Sequence, residues 1–262
     1  SSPDKIIKDI MVKEPIFVNT HDDQEEIAGI FKRYDLLALP VVDHEQRLVG
    51  IITIDDIVDV IEEETTEDIY KMAAVQPTSE EYINAGVFSL ARKRIVWLLV
   101  LMVSATFTGL IIRSFESALQ SVVVLAAFIP MLMDTGGNAG SQASILVIRS
   151  IVLGEVEFKD IAKVVWKEIR ISFIVGITLA VFNFLRIYFL ERYPFAIALT
   201  VSFTLFFTVM IAKVLGGVLP LVAKKLKLDP AIMASPLITT IVDAVALLIY
   251  FYSAIWFIGI EM

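Results

Sequence analysis

Two aspartates lie within long apolar stretches of this 262-residue chain, where a carboxylate is costly to keep. Asp243 lies in the last stretch, three residues after Thr240, which follows Thr239, and Asp134 opens a polar, glycine-rich segment at residues 134–142. A charge near the centre of a membrane helix costs roughly 2.5–3.5 kcal/mol, so it is kept mainly where it faces a cavity, a partner or an ion path. The two segments together predict that a polar species crosses a membrane here.

The segment 134–142 contains Gly136, Gly137 and Asn138. We expect it to interrupt a membrane helix, because irregular backbone at membrane depth is tolerated only where it is buried in protein or lines water. Glycines there would let backbones approach closely and would offer their carbonyls as oxygen ligands. For Asn138 and the two threonines taken alone, ordinary hydrogen bonding between helices is the alternative. For Asp134 the alternative is an ion pair with a cation such as Arg149.

Composition places the chain among multi-pass membrane proteins and divides it into two parts. It is 57% hydrophobic with a mean hydropathy of +0.76. Residues 1–94 hold 10 Lys and Arg against 20 Asp and Glu, whereas residues 95–262 hold 12 against 10. An acidic soluble portion therefore precedes a membrane portion. The absence of cysteine excludes disulfides and thiolate metal sites.

Hydrophobic patterning predicts a mostly α protein with three regions. Residues 1–61 form a small α/β domain, residues 62–90 an acidic connecting helix, and residues 91–262 a transmembrane helical domain. Eighteen uncharged apolar residues suffice to cross about 30 Å of hydrocarbon. Five spans are predicted, at residues 95–112, 117–153, 171–185, 195–220 and 231–260, the second interrupted at Asp134. Lys213, late in the fourth span, is expected to extend towards the membrane surface.

The distribution of loop charges predicts the orientation. Lys and Arg gather before the first span, between the second and third, and between the fourth and fifth. By the positive-inside rule, the N-terminal portion is cytoplasmic and Met262 lies outside the inner or plasma membrane. The partners predicted from the sequence are the lipid bilayer and divalent cations, and no nucleic acid.

The soluble portion is predicted to contain a helix at residues 22–34, short buried strands at 39–42 and 48–52, and a second helix from Ile54. Thr53 and Asp56, at the junction of strand and helix, could bind the phosphate and ribose of a nucleotide. The segments Leu39-Pro40-Val41-Val42-Asp43 and Gly50-x-x-Thr53-x-x-Asp56 resemble a CBS repeat. Such repeats usually pair, so we expect another repeat upstream. The resemblance implies ATP as ligand, and a folded repeat without ligand is the alternative.

The membrane portion resembles MgtE-type magnesium channels through two motifs. One is Pro130-Met131-Leu132-Met133-Asp134-Thr135-Gly136-Gly137-Asn138-Ala139-Gly140-Ser141-Gln142-Ala143, similar to that family's second-helix signature. The other, Asp229-Pro230-Ala231 followed by Ser235-Pro236-Leu237 and Thr239-Thr240-x-x-Asp243, is similar to the fifth-helix signature. The family's acidic N-terminal domain and first CBS repeat are not found in this sequence.

The resemblance implies a homodimeric Mg²⁺ channel lined by the second and fifth spans. In a two-fold dimer, two Asp243 carboxylates would face one divalent ion. The predicted pore and ion-binding residues are Asp243, Asn138, Thr239, Thr240, Gly136, Gly137 and Asp134. The resemblance also places the connecting helix beneath the pore as a plug, where Glu67 and Asp68 would share a regulatory Mg²⁺ with Asp229. Cytoplasmic Mg²⁺ would then bridge acidic surfaces and close the channel.

Other functions stay open at this stage. Oxygen ligands do not exclude Mn²⁺, Co²⁺ or Ni²⁺, although no cysteine exists and no histidine follows His44. An intramembrane aspartyl protease would use two aspartates on different spans, but the triplet Asp134-Thr135-Gly136 occurs once and follows an apolar helix. An anion channel conflicts with acidic buried charges. We therefore predict a transporter and not an enzyme.

Overall fold

The computed structural model describes residues 5–78 and 80–259. It separates the chain into two compact units, Ser1–Glu67 and Asp68–Met262. Met262 and the last predicted residue of the fifth span, Ile260, lie outside the described residues. The described chain is mostly helical with one small sheet, as the sequence predicts.

The first unit is a three-stranded sheet with helices. The order of strands in the sheet is β1-β2-β3, with β1 parallel to β2 and β2 antiparallel to β3. Its core joins Phe31, Leu39 and Ile57, which are each at most 2% exposed. The elements are α1 (Ile7–Ile10), β1 (Val18–Asn19), α2 (Gln24–Tyr34), β2 (Ala38–Val42), β3 (Leu48–Thr53) and α3 (Ile54–Met72).

The predicted helices and strands of this unit are found, but β3 is not buried as predicted. Leu48 is 67% exposed and Ile51 is 64% exposed. The strand pairs through its backbone with β2 alone, so neither of these side chains enters the core formed by α2, β2 and α3.

The acidic connector is also shaped differently from the expectation. The helix α3 runs without a break from Ile54 to Met72, so the predicted boundary at residues 61 and 62 lies inside one helix. Turns and irregular backbone follow over the described residues between Met72 and Val87. Of the predicted connecting helix at residues 62–90, the part up to Met72 is therefore helical, as the end of α3.

The described residues of the second unit after Met72 form six α-helices, whose buried side chains make one large hydrophobic cluster and one small one. Helices α6, α8 and α9 pack against one another, α7 packs on α8, and α4 packs on α9. The elements are α4 (Val87–Ser114), α5 (Glu116–Ser121), α6 (Leu125–Val152), α7 (Ile161–Leu185), α8 (Phe195–Lys225) and α9 (Ser235–Ile258). Short turns of other helical types occupy Phe158–Asp160, Arg186–Leu190 and Pro230–Met233.

Four segments of the described residues are long and apolar enough to cross a membrane. They are Val87–Ser114, Phe158–Leu190, Phe195–Lys225 and Pro230–Ile258. The 28-residue helix α6 is not among them, since its central residues are polar and small. The structure therefore supports a multi-pass membrane domain with four spans assigned by apolarity. Apolarity alone does not identify α6 as a further span.

The predicted interruption at Asp134 is wrong. Helix α6 continues through residues 134–142, and the break lies earlier, at Val122–Val124 between α5 and α6. Each glycine costs a helix about 1 kcal/mol relative to alanine. Close packing of this segment against α8 and α9 offsets that cost, because a side chain at Gly136 or Gly137 would collide with those helices.

Candidate ion site

Three polar side chains follow one face of α6 at four-residue spacing. Asp134, Asn138 and Gln142, here called the α6 polar stripe, are all exposed in the single chain. Residues four apart are neighbours on a helix surface, and Asn138 Nδ2 donates a hydrogen bond of 3.2 Å to Asp134 Oδ2. Because an ionised carboxylate only accepts, the Asn138 amide must present its nitrogen to Asp134. Its amide oxygen is left to face other partners.

Helix α9 brings a second carboxylate beside this stripe. Asp243 is half-buried, and its carboxylate interacts electrostatically with that of Asp134. The structure thus brings together the two aspartates that the sequence singles out, from segments 109 residues apart. Thr239 lies one turn before Asp243, on the same side of α9.

The two predicted threonines are held by their own helix. Thr239 Oγ1 donates to the Pro236 carbonyl oxygen at 2.9 Å, and Thr240 Oγ1 donates to the same oxygen at 3.1 Å. Each hydroxyl uses its proton in this bond and keeps lone pairs that can accept. The threonines can therefore offer oxygen to a cation or to its water, and both are half-buried.

The two predicted glycines set the spacing between helices. A Cβ atom added to Gly137 would lie 2.8 Å from Thr239 Cγ2, and one added to Gly136 would lie 2.6 Å from Thr208 Cγ2 and 2.8 Å from Val242 Cγ1. Because α6 is continuous, the carbonyls of these glycines take part in its backbone hydrogen bonding. The structure gives Gly136 and Gly137 a packing role that holds α6 against α8 and α9.

Two expectations about charged residues of the membrane domain are corrected. Arg149 lies on α6 fifteen residues beyond Asp134, about 22 Å along a straight helix, so these two cannot pair within one chain. Lys213 does not extend to the surface, because it is 5% exposed and its Nζ donates to Gln142 Oε1 at 3.4 Å. The hydrogen bond between Lys213 and Gln142 was not predicted. The only signal for it in the sequence is the four-residue spacing of Asp134, Asn138 and Gln142.

The predicted regulatory residues are placed as follows. Asp229 Oδ1 accepts from the Ala231 backbone amide at 2.8 Å, and Asp229 Oδ2 pairs with Lys71 Nζ of α3 at 2.5 Å. Glu67 and Asp68 are half-buried on the same helix as Lys71. Among residues 5–78 and 80–259, no group of three or more His, Cys, Asp or Glu side chains is arranged to hold a metal. The pairing of Asp229 with a lysine was not expected.

The predicted nucleotide residues form a helix cap. Thr53 Oγ1 donates to Asp56 Oδ2 at 2.7 Å, and the Thr53 backbone amide donates to the same oxygen at 3.1 Å. These two bonds, the side-chain bond first, hold the pKa of Asp56 below its usual value of 3.8. The arrangement gives the Thr53 amide, at the start of α3, an acceptor, which is one half of a capping box.

Two family models match the sequence of this chain. Residues 129–253, which include α6 from Ile129 onwards and α9 up to Ser253, match the model of the family MgtE, described as a divalent cation transporter. Residues 7–63 match the CBS domain model.

Three curated proteins named magnesium transporter MgtE are similar to the chain. The one from Thermus thermophilus is 37% identical over 250 residues, which are 95% of this chain and 55% of that protein. The one from Bacillus subtilis is 37% identical over 98% of this chain and 56% of its own length, and the one from Enterococcus faecalis is 30% identical over 97% and 55%. The chain thus spans about half the length of the curated relatives it matches.

Proposed function

Because the chain belongs to the MgtE family, whose members are divalent cation transporters and not enzymes, we propose that it carries Mg²⁺ across a membrane. The observation that carries this proposal is the electrostatic interaction of Asp134 with Asp243, on the packed helices α6 and α9 of the membrane domain. A cation bound near the two carboxylates would offset their mutual repulsion, and the relatives are named magnesium transporters. The same membership argues against an intramembrane protease.

The oxygen atoms around this pair suit Mg²⁺ held through its water. Mg²⁺ takes oxygen ligands in near-octahedral geometry and gives up water reluctantly. The pair supplies two negative charges, Asn138 has a carbonyl oxygen free of the Asp134 bond, and the hydroxyls of Thr239 and Thr240 have lone pairs. We propose these five residues as the ion site, with Gly136 and Gly137 fixing the distance between α6 and α9.

A second copy of the chain completes the site in this proposal. The α6 polar stripe is exposed, and polar groups at membrane depth avoid lipid. A two-fold homodimer would cover both stripes at once, because the same surface meets itself across the axis. Under this arrangement α6 is the second of five spans and is shielded from lipid on its polar side. Five spans with a cytoplasmic N-terminal portion then put the end of the chain outside.

A channel explains transport without a coupling ion. An inward-negative potential of 100 mV favours entry of a divalent cation by roughly 4.6 kcal/mol, about three powers of ten in concentration. Because entry needs no further driving force, what must be regulated is the closing of the channel. We propose that cytoplasmic Mg²⁺ closes it by binding at Glu67, Asp68 and Asp229, where it would compete with Lys71 for the Asp229 carboxylate.

Nucleotide binding at the first unit is a separate proposal. Thr53 and Asp56 already bond to each other, so ATP would have to bind through groups that this cap leaves open. Calorimetric titration of ATP, with Asp56→Asn as the comparison, tests it. Binding that is unchanged in the variant would remove Asp56 from the site.

Uptake into proteoliposomes tests the transport proposal. The purified chain is reconstituted at low internal Mg²⁺, and Mg²⁺ entry is followed with an enclosed indicator dye under an inward-negative potential. We expect Asp243→Ala to abolish uptake and Asp243→Asn to be nearly as damaging, because the amide keeps the shape and loses the charge. Glu155→Ala, which removes an exposed carboxylate beyond the end of α6, is the matched control.

The assay also separates the competing functions. Uptake by Asp243→Ala equal to that of the unmodified chain, in a protein that is still folded and dimeric by light scattering, would remove Asp243 from the ion path. Uptake of Mn²⁺, Co²⁺ or Ni²⁺ in clear preference to Mg²⁺ would support the broader divalent transporter instead.

A further inference from the structure

Lys213 is a buried cation behind the polar face of α6. Its side chain is 5% exposed, and its Nζ donates to Gln142 Oε1 at 3.4 Å. The only other charged side chain among the described buried residues of this domain is Glu168 of α7, which is 8% exposed and interacts electrostatically with Lys213. A Cβ added to Gly217, one turn beyond Lys213 on α8, would lie 3.2 Å from Glu168 Cγ. The carboxylate of Glu168 thus lies on the α7 side of α8, and the ammonium of Lys213 points to α6.

This contact fixes which groups Gln142 presents outward. An ammonium has three donors and no acceptor, so the Gln142 amide must direct its oxygen to Lys213 and its NH₂ group elsewhere. The opposite holds at Asn138, whose nitrogen faces Asp134 and whose oxygen is left over. The α6 polar stripe therefore changes sign along its length. It offers acceptors and negative charge at Asp134 and Asn138, and donors backed by a positive charge at Gln142.

The separation of the two ends is short on the scale of charge interactions. Asp134 and Gln142 are eight residues apart on a continuous helix, about 12 Å along its axis. In the orientation proposed above, α6 runs inward from Leu125, so Gln142 lies on the cytoplasmic side of the ion site. An ion leaving the carboxylates for the cytoplasm must pass the donor end of the stripe.

We propose that Lys213, acting through Gln142, sets an electrostatic barrier on the cytoplasmic side of the ion site and slows cation exit. The inference rests on the proposed transport function. Lys213 touches no ion in this scheme and is a positioning residue, which orients the amide and supplies the charge behind it. Gln142 is closer to Lys213 than the two carboxylates are. Removing the lysine charge therefore lowers the barrier at Gln142 more than it strengthens cation binding at Asp134 and Asp243.

The test is the maximal rate of Mg²⁺ uptake by Lys213→Met in the proteoliposome assay. We expect the rate to rise about fivefold, because the substitution removes the field of the lysine and leaves that of Glu168 in place. The same barrier acts on a monovalent cation with half the charge, so Na⁺ entry should rise only about twofold. Lys213→Arg, which keeps a buried donor and a positive charge, should stay near the unmodified rate.

Two further variants keep the result decisive. Lys213→Met leaves Glu168 without its buried counter-charge, so Lys213→Met/Glu168→Gln is measured as well. Its rise should be smaller than that of Lys213→Met, because it also removes the carboxylate whose field partly cancels that of the lysine. Lys224→Met removes an exposed lysine from the last turn of the same helix and should leave both rates unchanged.

The outcomes distinguish this inference from the function on which it rests. If the unmodified chain shows no uptake, or Asp243→Ala retains it, the transport proposal fails. If transport depends on Asp243 but Lys213→Met and the double variant show an equal or lower rate, the barrier is refuted and Lys213 only stabilises the fold. An equal rise for Mg²⁺ and Na⁺ also refutes it, because a charge barrier must discriminate by valence.

Discussion

The contact between Gly137 and Thr239 permits a sharp test of how α6 and α9 form the site. Gly137→Ala would place a new Cβ 2.8 Å from Thr239 Cγ2, 3.3 Å from Thr239 Cβ and 3.7 Å from Thr239 Cα. Carbon atoms prefer separations of about 3.5–4.0 Å. The helices must therefore part by roughly 0.7–1.2 Å, or Thr239 must rotate away from its bond to the Pro236 carbonyl.

The two energetic effects of this substitution oppose each other. Overpacking costs about 1–3 kcal/mol, while replacing glycine by alanine within a helix returns about 1 kcal/mol. We expect a net destabilisation of about 0–2 kcal/mol, which leaves the protein folded. Transport should suffer more, since parting α6 from α9 moves Asp134 away from Asp243.

A double-mutant cycle isolates the contact. Thr239→Ser removes the Cγ2 atom that the new Cβ would meet, so Gly137→Ala/Thr239→Ser should recover transport relative to Gly137→Ala alone. We expect a coupling of about 1–2 kcal/mol in thermal unfolding. Gly109→Ala in α4 is the matched control, because nothing lies within 4 Å of a Cβ added there. Strict additivity, or equal behaviour of Gly137→Ala and Gly109→Ala, would refute the packing argument.

Three further changes test other parts of the structure. Asn138→Ala should reduce Mg²⁺ uptake at least tenfold while Asn183→Ala, on α7, changes it little; a greater loss in the second variant would show that the wrong helices were chosen. Lys71→Met should increase inhibition by cytoplasmic Mg²⁺ in patch-clamp recordings, because it frees a carboxylate for the ion, and unchanged inhibition would contradict that role. Thr53→Val should raise the pKa of Asp56 in a carbon-13 NMR titration; its folded pKa is depressed, so its contribution to stability is present above about pH 3.8 and is lost as the pH falls, and this loss should shrink in the variant.

The two aspartates of the proposed ion site are conspicuous in the sequence because charge inside an apolar run is rare and has few explanations. Asp134 and Asp243 stand out in the sequence alone, and the structure brings their helices together. The four apolar spans and the strand–helix order of the first unit follow equally from residue pattern. These features depend on local composition, which a single sequence displays directly.

The continuity of α6 was not predictable from local rules. Two adjacent glycines and a run of polar residues weaken a helix by their own propensity, and that argument favours a break. Tertiary packing outweighs it, because Gly136 and Gly137 are needed where α8 and α9 approach. The burial of Lys213 was missed for a related reason, since its partner Gln142 lies 71 residues away and only the fold joins them.

The four-residue spacing on α6 has a geometric consequence for a two-fold assembly. Each step of four residues turns about 40° beyond a full circle, so the line from Asp134 to Gln142 winds about 80° around the helix. Such a line is inclined to the helix axis, and two identical lines that face each other favour helices crossing at about 50°. Two copies would therefore touch most closely at the middle of the line, near Asn138, and diverge towards both ends. The path between them would have the profile of an hourglass, with a funnel on the carboxylate side where a hydrated ion could collect before the waist.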